Sequence, residues 1–83
     1  MYHLTLIRFS LDNRVLENTE VHNTMSEEEL LKRFDKEDRH VITNEDRDEV
    51  LNLRAGSRHD NHTTLQINNE EENKMWLYYI HKS

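Results

Sequence analysis

His59, Asp60 and His62 stand together as H-D-x-H, two imidazoles and a carboxylate within four residues. Both groups bind zinc and other divalent metals, and His3, His22 or His81 could complete a site begun there. A metal centre needs ligands delivered by several elements, however, and this spacing matches no established ligand pattern. We read these histidines as solvated loop residues, and assign no metal ligand and no cofactor.

Acid–base catalysis is the next chemistry to weigh. Seventeen carboxylates make neighbouring pairs unavoidable, so proximity alone carries no information. General acid–base work needs one carboxyl in an apolar pocket with a raised pKa, and the acids here lie in solvated runs. There is no G-x-S-x-G and no phosphate-cradling glycine loop, Gly56 being the only glycine. The expectation is a protein that is not an enzyme and has no catalytic residues.

Arg54, Arg58, His59 and His62 form a basic stretch, and Tyr2, Trp76, Tyr78 and Tyr79 could stack on bases. Against this stands a net charge of −6, which works against phosphate backbones and anionic lipid alike. The aromatics of Met75–Ile80 also alternate as in a strand, so either Trp76/Tyr78/Ile80 or Met75/Leu77/Tyr79 must face a core. Direct nucleic-acid binding is disfavoured.

Negative charge gathers in four runs: Glu27–Glu29, Glu37–Asp38, Glu45–Glu49 and Glu70–Glu72. Residues 27–49 hold ten acids against five bases, whereas residues 50–83 hold four of each. Charged turns ordinarily keep hairpin edges soluble, which accounts for Glu70–Glu72. The middle surplus asks for more. Carboxylates repeated on a rigid face imitate a phosphate backbone and steer fast, salt-sensitive association. Glu28, Asp35, Glu37, Asp38, Glu45, Asp46, Asp48 and Glu49 are the expected partner-binding residues, and the expected partner is a basic surface of a nucleic-acid-handling protein. Small acidic chains without catalytic signatures are a common form for phage or mobile-element inhibitors, an analogy of type only. The alternative from another class is a self-associating structural or regulatory subunit, a homodimer formed through the aromatic row of Lys74–His81.

The elements that must position these groups fit one domain, since 83 residues leave room for one small core. Apolar and charged residues make up 34% each, near the disordered regime, yet proline is absent and the apolar residues come in short runs. There is no cysteine, which removes disulfides and thiolate chemistry and fits a reducing compartment. The longest apolar stretch, Met75–Ile80, is too short to span a bilayer, and no basic-then-apolar leader is visible, so a cytoplasmic protein without a membrane segment is expected.

Tyr2–Phe9 alternates as a half-buried strand, Leu11–Arg14 supplies a turn, and Val15–His22 alternates again with Val15, Thr19 and Val21 on one side: a β-hairpin. Ser26 and Glu29 form an S-x-x-E capping box, with Met25 and Leu30 as a hydrophobic staple. They open a helix over about 27–36, with Leu30, Leu31 and Phe34 inward and Lys32, Arg33 and Lys36 outward or C-terminal. His40–Thr43 is a short β-branched run. Val50–Ala55 reads as a strand; the competing helix, capped by Asn44 and stopped at Gly56, offers only a thin inner stripe of Val50, Leu51 and Arg54. Gly56–His62 is loop-like, and Thr63–Asn68 and Lys74–His81 are strands about an Asn69–Asn73 turn. The expected fold is a small α+β domain in the order ββαββββ, an N-terminal hairpin and one helix followed by an antiparallel meander.

Overall fold

The computed structural model describes residues 1–36 and 42–83. Among them are four strands, β1 (Tyr2–Ser10), β2 (Leu16–Met25), β3 (His62–Asn69) and β4 (Lys74–Lys82), and two helices, α1 (Glu27–Lys36) and α2 (Asn44–Leu51), in the order ββααββ. The strands form one antiparallel sheet in the order β2-β1-β4-β3. Two hairpins therefore lie side by side, joined by a ladder between β1 and β4 that runs from Tyr2↔Lys82 to Ser10↔Lys74.

Each hairpin closes on side chains suited to it. Arg14 takes a positive φ of 59° and donates its amide to the Ser10 carbonyl at 3.1 Å. Asn73, at φ 56°, ends the second turn. The turns meet: the Leu11 amide donates to the Asn73 carbonyl at 3.0 Å, and the Asn73 side-chain amide donates to the Asp12 carboxylate at 3.0 Å. That last bond, with the Asn13 amide, holds the Asp12 carboxyl below its usual value.

Alternation sorts the sheet into two faces. Tyr2, Leu4, Leu6, Leu65, Ile67, Trp76, Tyr78 and Ile80 point to one side and share a single buried cluster with Leu30, Phe34, Val50 and Leu53 of the helical segment. Of the two candidate aromatic sets, Trp76/Tyr78/Ile80 is the inner one. Phe34 meets Tyr78 edge to face at 5.6 Å, so α1 is seated at the middle of the sheet.

The α1 capping box forms as expected: the Glu29 amide donates to the Ser26 hydroxyl at 3.1 Å, and Met25 and Leu30 are both buried. Arg33 departs from expectation. It is only 9% exposed, because it donates to the Glu20 carboxylate on β2 at 2.6 Å rather than reaching solvent.

The segment after α1 corrects the expected topology. Val50–Ala55 is not a strand; α2 occupies Asn44–Leu51, and the meander reduces to the β3–β4 hairpin. The helix wins because Thr43, not Asn44, caps it. The Asp46 amide donates to the Thr43 hydroxyl at 3.1 Å while the Asp46 carboxylate accepts the Thr43 amide, a capping box that uses aspartate. Glu45 and Asp46 then face the positive end of the helix dipole. One buried contact on the helix suffices, with Val50 at 0% exposure, and Leu53 enters the core from just beyond it. The helix ends at Asn52, before Gly56, which takes φ 81° in the following turn. The His40–Thr43 run lies in part outside the described residues.

Phe34→Ala should cost about 3–5 kcal/mol, a large part of the roughly 4–12 kcal/mol available to a domain of this size. Thermal melting should show it largely unfolded at 37 °C; a melt within a few degrees of the parent would refute the seating of α1. Thr43→Ala should cost about 1 kcal/mol, with faster amide exchange confined to residues 45–48.

Candidate functional site

α2 is the anionic element of the described chain. Glu45, Asp46, Asp48 and Glu49 follow one another on eight residues, with Arg47 as the only cation among them. Val50 fixes which side is buried, and helical periodicity then places Glu45 and Asp48 on the opposite side, three residues apart and neighbours on the surface. Both are exposed. Arg47 does not neutralise them, since its guanidinium pairs with Asp35 of α1 and lies 6.0 Å over the Phe34 ring.

The other expected partner-binding residues fall into different situations. Asp35 is joined to α2 through Arg47. Glu28 lies in the first turn of α1 and pairs with Lys32 at 3.2 Å, both side chains largely in solvent. Asp46 is half-buried and occupied by its capping bonds. Glu49 accepts the Thr63 hydroxyl at 2.6 Å, tying α2 to β3. Glu37 and Asp38 lie outside the described residues. Glu45 and Asp48 are thus the pair most open to a partner.

The H-D-x-H histidines border an open cleft of about 490 Å³ between the end of α2 and the start of β3, lined by Glu49, Arg54, His59, Asp60, His62 and Thr63. His62 belongs to β3 rather than to the loop. Among the described residues no group of three or more His, Cys, Asp or Glu is disposed to hold a metal ion. Three of the four aromatics considered for base stacking, Tyr2, Trp76 and Tyr78, are buried at 2%, 3% and 0% exposure; Tyr79 alone is open, at 44%.

Two features escape sequence reasoning. One is the Arg33–Glu20 pair, extended by His22 at 3.4 Å from the Glu20 carboxylate. Partial burial by itself would push the Glu20 carboxyl up; the hydrogen bond and charge of Arg33, with His22, outweigh it and hold the carboxyl below its usual value. The other is the sheet face turned away from the helices. Register places His3, Thr5, Ile7 and Phe9 there beside His81, Tyr79, Leu77 and Met75. The strand alternation was legible, but which residues became neighbours was not, because register across β1 and β4 is a long-range property.

Comparison with protein-family models, curated proteins and solved structures returns no match. Among the described residues no helix is long and apolar enough to cross a membrane.

Replacing Arg33 with Met should cost on the order of 2 kcal/mol, because it strands a half-buried carboxylate and loses a charged hydrogen bond. The pH dependence has a definite sign. Glu20 binds its proton less tightly when folded, so its contribution is complete above the ordinary value of 4.5 and declines as pH falls below it. In Glu20→Gln that part of the acid loss should vanish; melts recorded from pH 7 to pH 3 that superimpose in shape would disprove the coupling.

Proposed function

We propose that this chain is a small non-enzymatic interaction module that sets the acidic side of α2 against a basic surface of another protein. The observation that carries the proposal is the disposition of charge on that helix: four carboxylates on eight residues, with the single arginine turned to Asp35. A partner meets Glu45 and Asp48 unpaired with any cation among the described residues, on a capped helix that is locked to β3 through Glu49 and Thr63. Preorganised charge of one sign gives steering and specificity more than raw affinity, and a net charge of −6 extends the same field.

A surface of this sign suits a protein whose own groove handles nucleic acid, and occupation of that groove would block it. This is the mode of an inhibitor of the phage or mobile-element type, acting in the cytoplasm, where a cysteine-free chain loses nothing to a reducing environment. Direct nucleic-acid binding is less well supported, since the charge opposes it and most of the candidate stacking residues serve the core.

The immobilised chain, exposed to an extract of its native cell, should retain a basic nucleic-acid-handling protein that elutes as salt rises to ~0.5 M. Glu45→Lys combined with Asp48→Lys should lower retention at least tenfold while lowering the melt by only a few degrees, because neither residue caps a helix or bonds to the sheet and Glu45 adds only its charge at the helix N-terminus. Asp46 and Glu49 are poor test positions for the opposite reason. Equal retention by the double variant, or retention indifferent to salt, would sink the proposal.

A further inference from the structure

Four rows of side chains cross the sheet face opposite the helices. Leu16, Phe9, Met75 and Asn68 form the first; Thr19, Ile7, Leu77 and Gln66 the second; Val21, Thr5, Tyr79 and Thr64 the third; His3, His81 and His62 the fourth. Not one Asp, Glu, Lys or Arg stands in these rows, in a chain of which 34% is charged. Glu17, the nearest carboxylate along β2, reaches instead to Lys74 and Arg8, which alternate to the helical side. Of the large apolar side chains left exposed, Leu16 (56%), Val21 (61%) and Tyr79 (44%) belong to this face. Met75, beside the turns, is buried at 4% exposure, but neither helix packs over the face.

We propose that this face is where two copies of the chain pack sheet against sheet. Charge selects the occupant. Molecules of net charge −6 repel, and this face is where two of them can meet without opposing carboxylates. A nucleic acid would find no cation in the rows, and a basic partner no anion.

Charge also selects the arrangement. The end of the sheet at β3–β4 carries Glu70, Glu71 and Glu72 in its turn, with Asp12 bound to Asn73 beside it. The opposite end carries His3 and His81, stacked at 5.4 Å, with His62 paired next to His81. A twofold axis lying across the strands sets each acidic turn against the partner copy's carboxylate-free imidazole row, whose ring nitrogens can hydrogen-bond to it; an axis along the strands would set acid against acid. The first is an isologous contact with complementary ends.

Area sets the strength. Strands of 8–10 residues, four abreast, span about 30 Å by 19 Å, so a face-to-face pair would bury roughly 1,000–1,200 Å² in total, at the lower limit of specific interfaces. Aligned sheets pack about 10 Å apart with their strands near 30°, a geometry open to the uncharged Thr, Ile, Leu and Tyr rows. A micromolar dimer is expected.

Sedimentation of the intact chain from ~1 to ~200 µM at ~150 mM salt should show a monomer giving way to a dimer, with Kd of order 1–100 µM. Val21→Glu combined with Tyr79→Glu, both exposed outside the core, should stay monomeric throughout while melting as the parent does at ~1 µM. Glu45→Lys combined with Asp48→Lys should dimerise like the parent, which keeps this result separate from the docking of α2. A parent that remains monomeric at ~200 µM, or a Val21→Glu/Tyr79→Glu variant that dimerises unchanged, overturns the proposal. So does a fluorescent single-stranded oligouridine that binds the monomeric parent and not that variant, since the face would then be a nucleic-acid platform.

Discussion

The ladder between β1 and β4 is the constraint on which the rest of the molecule depends. An isolated two-stranded hairpin is marginal in water, and each hairpin here has only part of a core face: Tyr2, Leu4 and Leu6 from the first, Leu65, Ile67, Trp76, Tyr78 and Ile80 from the second. Pairing Leu4 with Ile80 and Leu6 with Tyr78 makes one apolar surface of the two halves. The contact joins residues more than sixty positions apart, so its loop-closure cost falls due before any packing is gained. The laced turns at Asp12 and Asn73 and the bond from the Ser83 amide to the Met1 carbonyl pin the ladder at both ends.

Once that sheet exists, the helical segment has one place to go. It leaves β2 at Met25 and returns at His62, the two edges of the sheet, and lays Leu30, Phe34, Val50 and Leu53 on a single side. Two polar latches complete the layer. Arg33 fastens α1 to β2 through Glu20, and Arg47 fastens α2 to α1 through Asp35. Arg33 is thereby buried and Arg47 turned to Asp35, so among the described residues no cation offsets the acids on the outer side of α2. The helices cover one face of the sheet and leave the other without a helical layer, and that second face is the uncharged one. The molecule is two-sided: an anionic helical layer backed by a neutral sheet.

Local chemistry was readable wherever it was self-contained. Both hairpins, the alternation of Met75–Ile80 (though not which of its two sets turns inward), and the capping box of α1 rest on residues a few positions apart. α2 was misread because a threonine–aspartate box is a weaker cue than serine–glutamate, and because its inner stripe looked too thin to hold a helix. That stripe is adequate only because Leu53, one turn beyond Val50, enters the same core from a non-helical position. Arg33 was misread for a related reason: its place on the helix says nothing of a glutamate thirteen residues earlier on another element.

Of the candidate site, the sequence determined that charge would concentrate in the middle of the chain, since composition along a segment needs no fold to be counted. It also determined the strand alternation and the α1 cap, both products of spacing within one element. Tertiary structure alone decided which carboxylates stay available. Asp35, Asp46 and Glu49 are engaged by an arginine, a backbone amide and a threonine, whereas Glu45 and Asp48 are left open. It alone decided that three histidines from positions 3, 62 and 81 share one row. The reason is physical: side-chain direction follows from local backbone geometry, but side-chain company follows from register between strands, which forms only when distant segments bury their apolar faces together.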